Sequence, residues 1–316
     1  MPPLSTRSVI LANGGLLVMV MMAGAFFPIL EQLLRSWDAW SVTAARQLVG
    51  GIALCAVLGL RERRLPLPRG VAWWRLFLVG GVGIALSSVV TSLAVLYSGG
   101  VSAAIVSAAN PIVAALVARL LYRQKLAPAV LVGAVLAVAG GAIAILGSGQ
   151  GFASFRGGEI LMLVAGAVWT WYSIAAQRLL AGHSQMAIAA WTTLPAGIVM
   201  LAVTLLLGTA GLVTIRVDFG PASLLMLGYA GLLSIGVGNV LWHYGVSRIG
   251  VAVAMMYGNL IPVAAVLVTL WFGGSPSAAQ IGGGAVILLG VLYAQVAGRR
   301  AAPVAAPAVP LPVKSR

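Results

Sequence analysis

The sequence is short of charge, and shorter still of acid. Of 316 residues, 8% are charged, and five Asp and Glu stand against 19 Lys and Arg. Histidine occurs twice and cysteine once. The lone Cys55 excludes a disulfide within the chain. The five acids all fall in loops or at the ends of apolar runs, and one of the two histidines, His183, falls in a loop. Most metal sites and acid/base pairs are thereby excluded, so neither a metal nor a cofactor is expected. The scarcity of charge also excludes an ordinary soluble domain. With 61% hydrophobic residues and a mean hydropathy of +1.07, most apolar side chains would have no interior to enter.

What the chain does have is apolar length. A helical span needs roughly 20 apolar residues. Runs at 9–30, 39–60, 71–97, 101–121, 127–147, 157–179, 186–207, 221–246, 251–272 and 276–297 predict ten spans. They are long and do not alternate, which argues against a β-barrel. The first run exceeds a signal-peptide core and meets no convincing small-residue cleavage site. The tail 298–316, with Pro303, Pro307, Pro310 and Pro312, has no apolar face to bury and is expected to be disordered.

A net charge of +14 would suggest nucleic acid in a soluble protein. Here the basic residues lie between apolar runs and read as topology signals, so no nucleic-acid partner is expected. Alternate loops hold 15 of the 19 basic residues, with Glu62 as their only acid. The other loops hold Arg35, Arg156 and Arg216 against Glu31, Asp38, Glu159 and Asp218. This asymmetry predicts both termini in the cytoplasm of a bacterial-type inner (plasma) membrane. The expected partners are the lipid bilayer and a small-molecule substrate, with the chain a monomer or weak homodimer.

An internal repeat is visible. Gly100-Val101 matches Gly250-Val251, Asn110-Pro111 falls near Asn259 and Pro262, and Pro128 or Pro276 opens the following span. In that span Ala129, Gly133, Ala137 and Gly141 answer Ala278, Gly282, Val286 and Gly290. Four-residue spacing puts small residues on one face, where another helix approaches closely. Earlier spans align less well, with Ala23-Gly24-Ala25 against Ala165-Gly166-Ala167. Shared Gly/Ala composition is the competing explanation, but the loop, proline and small-residue positions agree together. The expected fold is all-α: ten transmembrane helices in two halves, 1–150 and 151–297, followed by the tail. Five spans is an odd number, so the second half must be inverted. Inverted repeats are a transporter architecture, with the site near the midplane.

On Gly99-Gly100-Val101 with Asn110-Pro111 and Gly133, and on Trp242 with Gly250, Tyr257, Pro262 and Gly282, the chain resembles the drug/metabolite transporter superfamily. The resemblance is to tandem EamA-type domains and covers nearly the whole chain. Arg46 matches a basic residue usual in the second span. Within the superfamily the chain is most similar to bacterial amino-acid exporters, including those for aromatic amino acids. The resemblance implies ten spans, alternating access and export from the cytoplasm. The chain departs from the family in two places. Arg123-Gln124-Lys125 and Gly273-Gly274 stand where many members carry Glu, and Trp37-Asp38-Ala39-Trp40 lacks a Pro often found there.

Polar and aromatic groups at membrane depth mark candidate solute contacts, because burying them without partners is costly. The third span offers Ser87, Ser88, Thr91 and Ser92, and the fourth Ser107 and Asn110 beside Pro111, whose missing N–H leaves a carbonyl free one turn back. The ninth repeats this with Tyr257, Asn259 and Pro262. The sixth carries Trp169 and Tyr172, and the eighth Asn239, Trp242 and His243. Met22 belongs to a methionine cluster that forms either an adaptable wall or lipid-facing bulk. Each of these groups could instead join helices to one another. The cavity is expected between the first, third, fourth, sixth, eighth and ninth spans, with Pro111 and Pro262 as hinges. Arg46 has three readings: snorkelling, a structural pair with Glu31 or Asp38, or contact with a substrate carboxylate. The structural roles weigh more. The leading function is export of small metabolites, amino acids first, by facilitated diffusion. A proton-coupled drug/metabolite exporter is the alternative, and a channel or intramembrane enzyme the rival of another class.

Overall fold

The computed structural model describes residues 6–63, 68, 70–123, 128–146, 156–249 and 257–301. Among them every regular element is helical. The helix α1 is Thr6–Ser36 and α2 is Ala39–Glu62. Asp38 separates them as a helix cap, in extended backbone, with Oδ1 accepting from the N–H groups of Trp40 and Ser41 at 2.9 Å each. This satisfies two donors that a helix start otherwise leaves orphaned. The third helix, α3, spans Trp73–Ser98, and its stretch Phe77–Ile84 is wound as a π-helix. Gly99 then turns the chain with φ +80°, a conformation that favours glycine. The first N–H of α4 (Gly100–Ser107) donates to Glu31 Oε2 at 2.8 Å.

Between α4 and α5 (Asn110–Tyr122) the chain bends by 54°. Pro111 causes the break, because it has no N–H to offer the Ser107 carbonyl. The remaining helices are α6 (Pro128–Leu146), α7 (Gly158–Leu179), α8 (Gln185–Thr209), α9 (Pro221–Gly228 continuing through Tyr229–Val237 and Gly238–Ile249), α10 (Ile261–Trp271) and α11 (Ala278–Ala301). The middle part of α9, like that of α3, is a π-helix.

Six of these helices are individually long and apolar enough to cross a membrane, and a seventh span results if α4 and α5 count as one bent span. The other apolar helices are shorter among the described residues, at Pro128–Ala144, Ile261–Trp271 and Ala278–Ala294. Proline accounts for part of this shortfall against the expected ten, since it interrupts the fourth run and sits in the first turn of α10, as Pro262.

Lipid gives helices little hydrophobic reason to associate, so close approach at small residues carries the packing. A Cβ on Gly140 would lie 2.5 Å from Gly283 O, and one on Gly283 would lie 2.3 Å from Gly140 O. Gly133 and Gly290 oppose each other in the same way, at 2.7 and 2.9 Å. These four glycines form an antiparallel seam between α6 and α11. The expected stripe is corrected in part: Gly133 and Gly290 belong to the seam, but Gly141 and Gly282 meet nothing within 4 Å among the described residues. Residues four apart drift about 40° around a helix, whereas residues seven apart drift about 20°. The straight seam therefore selects Gly133 with Gly140, and Gly283 with Gly290.

The same reciprocity occurs between α2 and α8. A Cβ on Gly51 would strike Leu194 Cα at 2.6 Å, and one on Gly197 would strike Leu48 N at 2.7 Å. Each π-helix then leans on the opposite member of this pair. Gly80 of α3 sits against Thr192 O, and Gly231 of α9 sits against Arg46 O.

Candidate functional site

A cavity of about 340 Å³ lies among α1, α2, α3, α5, α7, α8 and α9. Its polar wall begins on α2, two turns past Asp38. Thr43 Oγ1 and Ser92 Oγ are 2.7 Å apart, Arg46 Nη2 donates to Ser88 O at 3.1 Å, and Gln47 Nε2 donates to Ser88 Oγ. These bonds tie α2 to α3. Arg46 is buried, and its guanidinium carbon stands 5.0 Å from the Phe26 ring centroid, within cation–π range. Thr91 donates to Ser87 O at 2.8 Å, so its hydroxyl proton is held within α3.

The aromatic wall is on α7. Trp169 and Tyr172 face each other at 5.1 Å between ring centroids, and Tyr172 OH lies 3.2 Å from Thr192 Oγ1 on α8. Tyr172 is buried, while Trp169 is 48% exposed and leaves part of its indole open. Asn110, at the start of α5, reaches toward Gly166 of α7, where a Cβ would lie 2.2 Å from its Oδ1. Asn239 of α9 completes the wall and donates to Ile235 O at 2.6 Å.

Of the residues expected to meet a solute, the structure thus gathers Trp169, Tyr172, Asn110, Ser88, Thr91 and Asn239 around one cavity, with Arg46 beside them. Others lie elsewhere. Tyr257 donates to Asn13 Oδ1 at 2.9 Å, and the Met22 carbonyl accepts from Tyr229 OH at 2.9 Å. Asn259 and Pro262 are buried outside the wall, and Trp242 sits half-buried on α9 away from it. The side chain of His243 is outside the described residues. No described residue of the ninth run lines the cavity, whereas α2 and α8 do.

Arg46 pairs with neither acid proposed for it. Glu31 accepts from Gly100, and Asp38 holds the start of α2. Ser87, also read from the third run, lines the cavity too, and the lining residues that the sequence did not single out are Gln47, Thr193 and Ser234. Gln47 carried a readable signal, as an amide at membrane depth next to Arg46. Among the described residues no three His, Cys, Asp or Glu side chains come together as a metal site. A second hollow of about 680 Å³ lies beside Glu31 and Arg35, bordered by α1, α9 and α10.

Apolar helices around a small polar and aromatic cavity are the frame of a membrane protein that handles a small solute. The EamA-like transporter family matches residues 10–146 and again 156–294, and the chain belongs to that family. It is 26% identical over 278 residues to the "Probable terminal-alkyne amino-acid exporter" of Streptantibioticus cattleyicolor, covering 88% of this chain and 91% of that protein. It is also 26% identical over 265 residues to the "Uncharacterized inner membrane transporter YedA" of Escherichia coli, covering 83% of this chain and 82% of the other. A solved structure, "Crystal structure of protein", shares the fold at a TM-score of 0.62 and 20% identity, over 94% of this chain and 99% of that one.

Proposed function

We propose that the protein exports small metabolites, amino acids including aromatic ones first, by alternating access and facilitated diffusion. The observation that carries this reading is the 340 Å³ cavity, with polar groups from α2, α3 and α5 on one side and Trp169 and Tyr172 on the other. Its volume is that of a small-molecule site, and an aromatic wall suits an apolar side chain. The similarity to an amino-acid exporter supports the same substrate class.

The chain makes ten spans in two inverted halves, 1–150 and 151–297, with both termini cytoplasmic. Three observations support this arrangement. The family matches twice in tandem, α6 and α11 meet through reciprocal glycines, and α3 and α9 carry π-helices at corresponding places. The bent α4–α5 pair then forms the fourth span, and the charge asymmetry of the loops sets the orientation. The cavity falls where the halves meet, which is where inverted-repeat carriers bind.

Energy coupling follows from what lines the cavity. Its described wall contains no carboxylate, so no Asp or Glu is available there to carry a proton. A neutral or zwitterionic solute moves down its own gradient, and export follows from high cytoplasmic concentration. The test is initial-rate uptake of labelled amino acids by reconstituted liposomes. A carrier saturates with concentration. Flux that stays linear with concentration indicates a channel and defeats the reading.

A further inference from the structure

Among the described residues, three buried side-chain atoms on the cavity-lining residues have no hydrogen-bond partner: Arg46 Nε, Gln47 Oε1 and Asn110 Oδ1. One is a donor on a cation, and two are neutral acceptors. Leaving such groups unpaired forfeits the hydration they had in water, and the loss is greater where charge is involved. The guanidinium is the sharper case. It makes one bond to a neutral carbonyl and a contact with Phe26, and neither supplies a counter-charge. The nearby acids Glu31 and Asp38 are engaged with backbone N–H groups. A buried cation without a partner is expensive, most of all at membrane depth. The cavity therefore suits a ligand that brings an anion to Arg46 and N–H donors to the two amide oxygens.

Resting on the transporter reading, we propose that this cavity grips both charged ends of an α-amino acid together. The substrate carboxylate meets Arg46, and the substrate ammonium meets Gln47 Oε1 and Asn110 Oδ1. The side chain lies toward Trp169 and Tyr172. The ligand carries one positive and one negative charge, so it answers the Arg46 charge without leaving its own ammonium unpaired. Asn110 has a further use here. It sits at the Pro111 break, where α5 packs on Gly166 of α7, so occupancy by an ammonium couples to the position of a bent helix.

The test is exchange of labelled L-phenylalanine by the full chain in liposomes, in competition with phenethylamine and with 3-phenylpropionate. Each competitor keeps the ring and lacks one charged end. Both are expected to compete at least roughly tenfold more weakly than unlabelled L-phenylalanine, since a site built for a polar group rejects an analogue lacking it. Arg46→Gln should raise the half-saturation concentration about tenfold or more and abolish the preference for L-phenylalanine over phenethylamine. Asn110→Asp should shift the preference toward phenethylamine. If the parent exchanges L-phenylalanine but phenethylamine or 3-phenylpropionate competes equally well, two-ended recognition is overturned while the transporter reading stands. If Arg46→Gln fails to assemble, the competition profile of the parent decides alone. If the parent exchanges no amino acid, the reading of substrate class falls, and this inference with it.

Discussion

Asp38 and Arg216 are 178 positions apart and bond to each other twice. The Asp38 N–H donates to Arg216 O at 3.1 Å, and the Arg216 N–H donates to Asp38 Oδ2 at 2.9 Å. Asp38 Oδ1 meanwhile caps α2. One carboxylate thus starts a helix and fastens the loop before α9 to the turn between α1 and α2. Trp37 reinforces the join, donating from Nε1 to Asp218 O at 3.1 Å and packing edge-on against Phe219.

Asp38→Ala removes the cap and the loop bond together. Loss of a helix cap costs about 0.5–2 kcal/mol, so the variant should melt measurably below the parent in detergent. Asp38→Asn keeps a capping oxygen and should fall between them. Equal melting temperatures for all three would show that this join carries no stability.

Asp218 should make the same region sensitive to acid. The Ser223 hydroxyl, then the Gly220 N–H, hold its carboxyl below the usual carboxylate range. A depressed carboxylate stabilises the fold above its unfolded pKa, near about 4, and that contribution disappears as pH falls through the lowered folded value. Asp218→Asn should therefore melt below the parent at neutral pH, with the gap closing in acid. A gap that widened as pH fell would have the opposite sign and contradict this assignment.

The α6–α11 seam gives a steric prediction. Gly140→Leu puts a side chain where a Cβ already lies 2.5 Å from backbone oxygen, and overpacking of that kind costs about 1–3 kcal/mol or more. Gly141→Leu enters open space and should leave folding unchanged. Size-exclusion profiles and thermal melts of the two variants separate the faces, and equal damage at both positions would reject the seam.

Much of the architecture was legible in the sequence. Apolar length located the helices, Asn110-Pro111 located the bend, and the three-residue spacing of Trp169 and Tyr172 placed both on one wall. The wall itself was only half legible. Sequence depth does not say which way a helix is turned, so Tyr257 looked like a cavity residue but bonds to Asn13. Arg46 marks the second run in the sequence and Gln47 beside it shares its depth, but nothing local in the sequence turns Thr193 of α8 toward the cavity. The join at Asp38 could not be read at all, because it depends on bonds across 178 positions with no local periodicity to announce them.

Trp169 tests the aromatic wall. Trp169→Ala removes the indole that faces Tyr172 and is 48% exposed, so its loss should leave folded protein in the membrane while weakening transport of aromatic amino acids. Transport equal to the parent across several substrates by a well-folded variant would end the aromatic-wall assignment.

Topology can be checked with single cysteines placed in a Cys55→Ala background. Thr214 and Ala181 are both exposed and lie in the loops before α9 and α8. An impermeant thiol reagent on intact cells should label Thr214→Cys and spare Ala181→Cys. The reverse pattern would invert the orientation assigned from loop charge.

The most direct measurement of the central claim is counterflow without an imposed driving ion. Liposomes holding the full chain are loaded with unlabelled amino acid and diluted into labelled amino acid, with pH and sodium equal on both sides. Alternating access by a facilitator predicts a transient accumulation of label above its equilibrium level, saturable in the external substrate. Label that entered only under a proton or sodium gradient would contradict the account. If that dependence then vanished in His243→Asn, the histidine would take the coupling role.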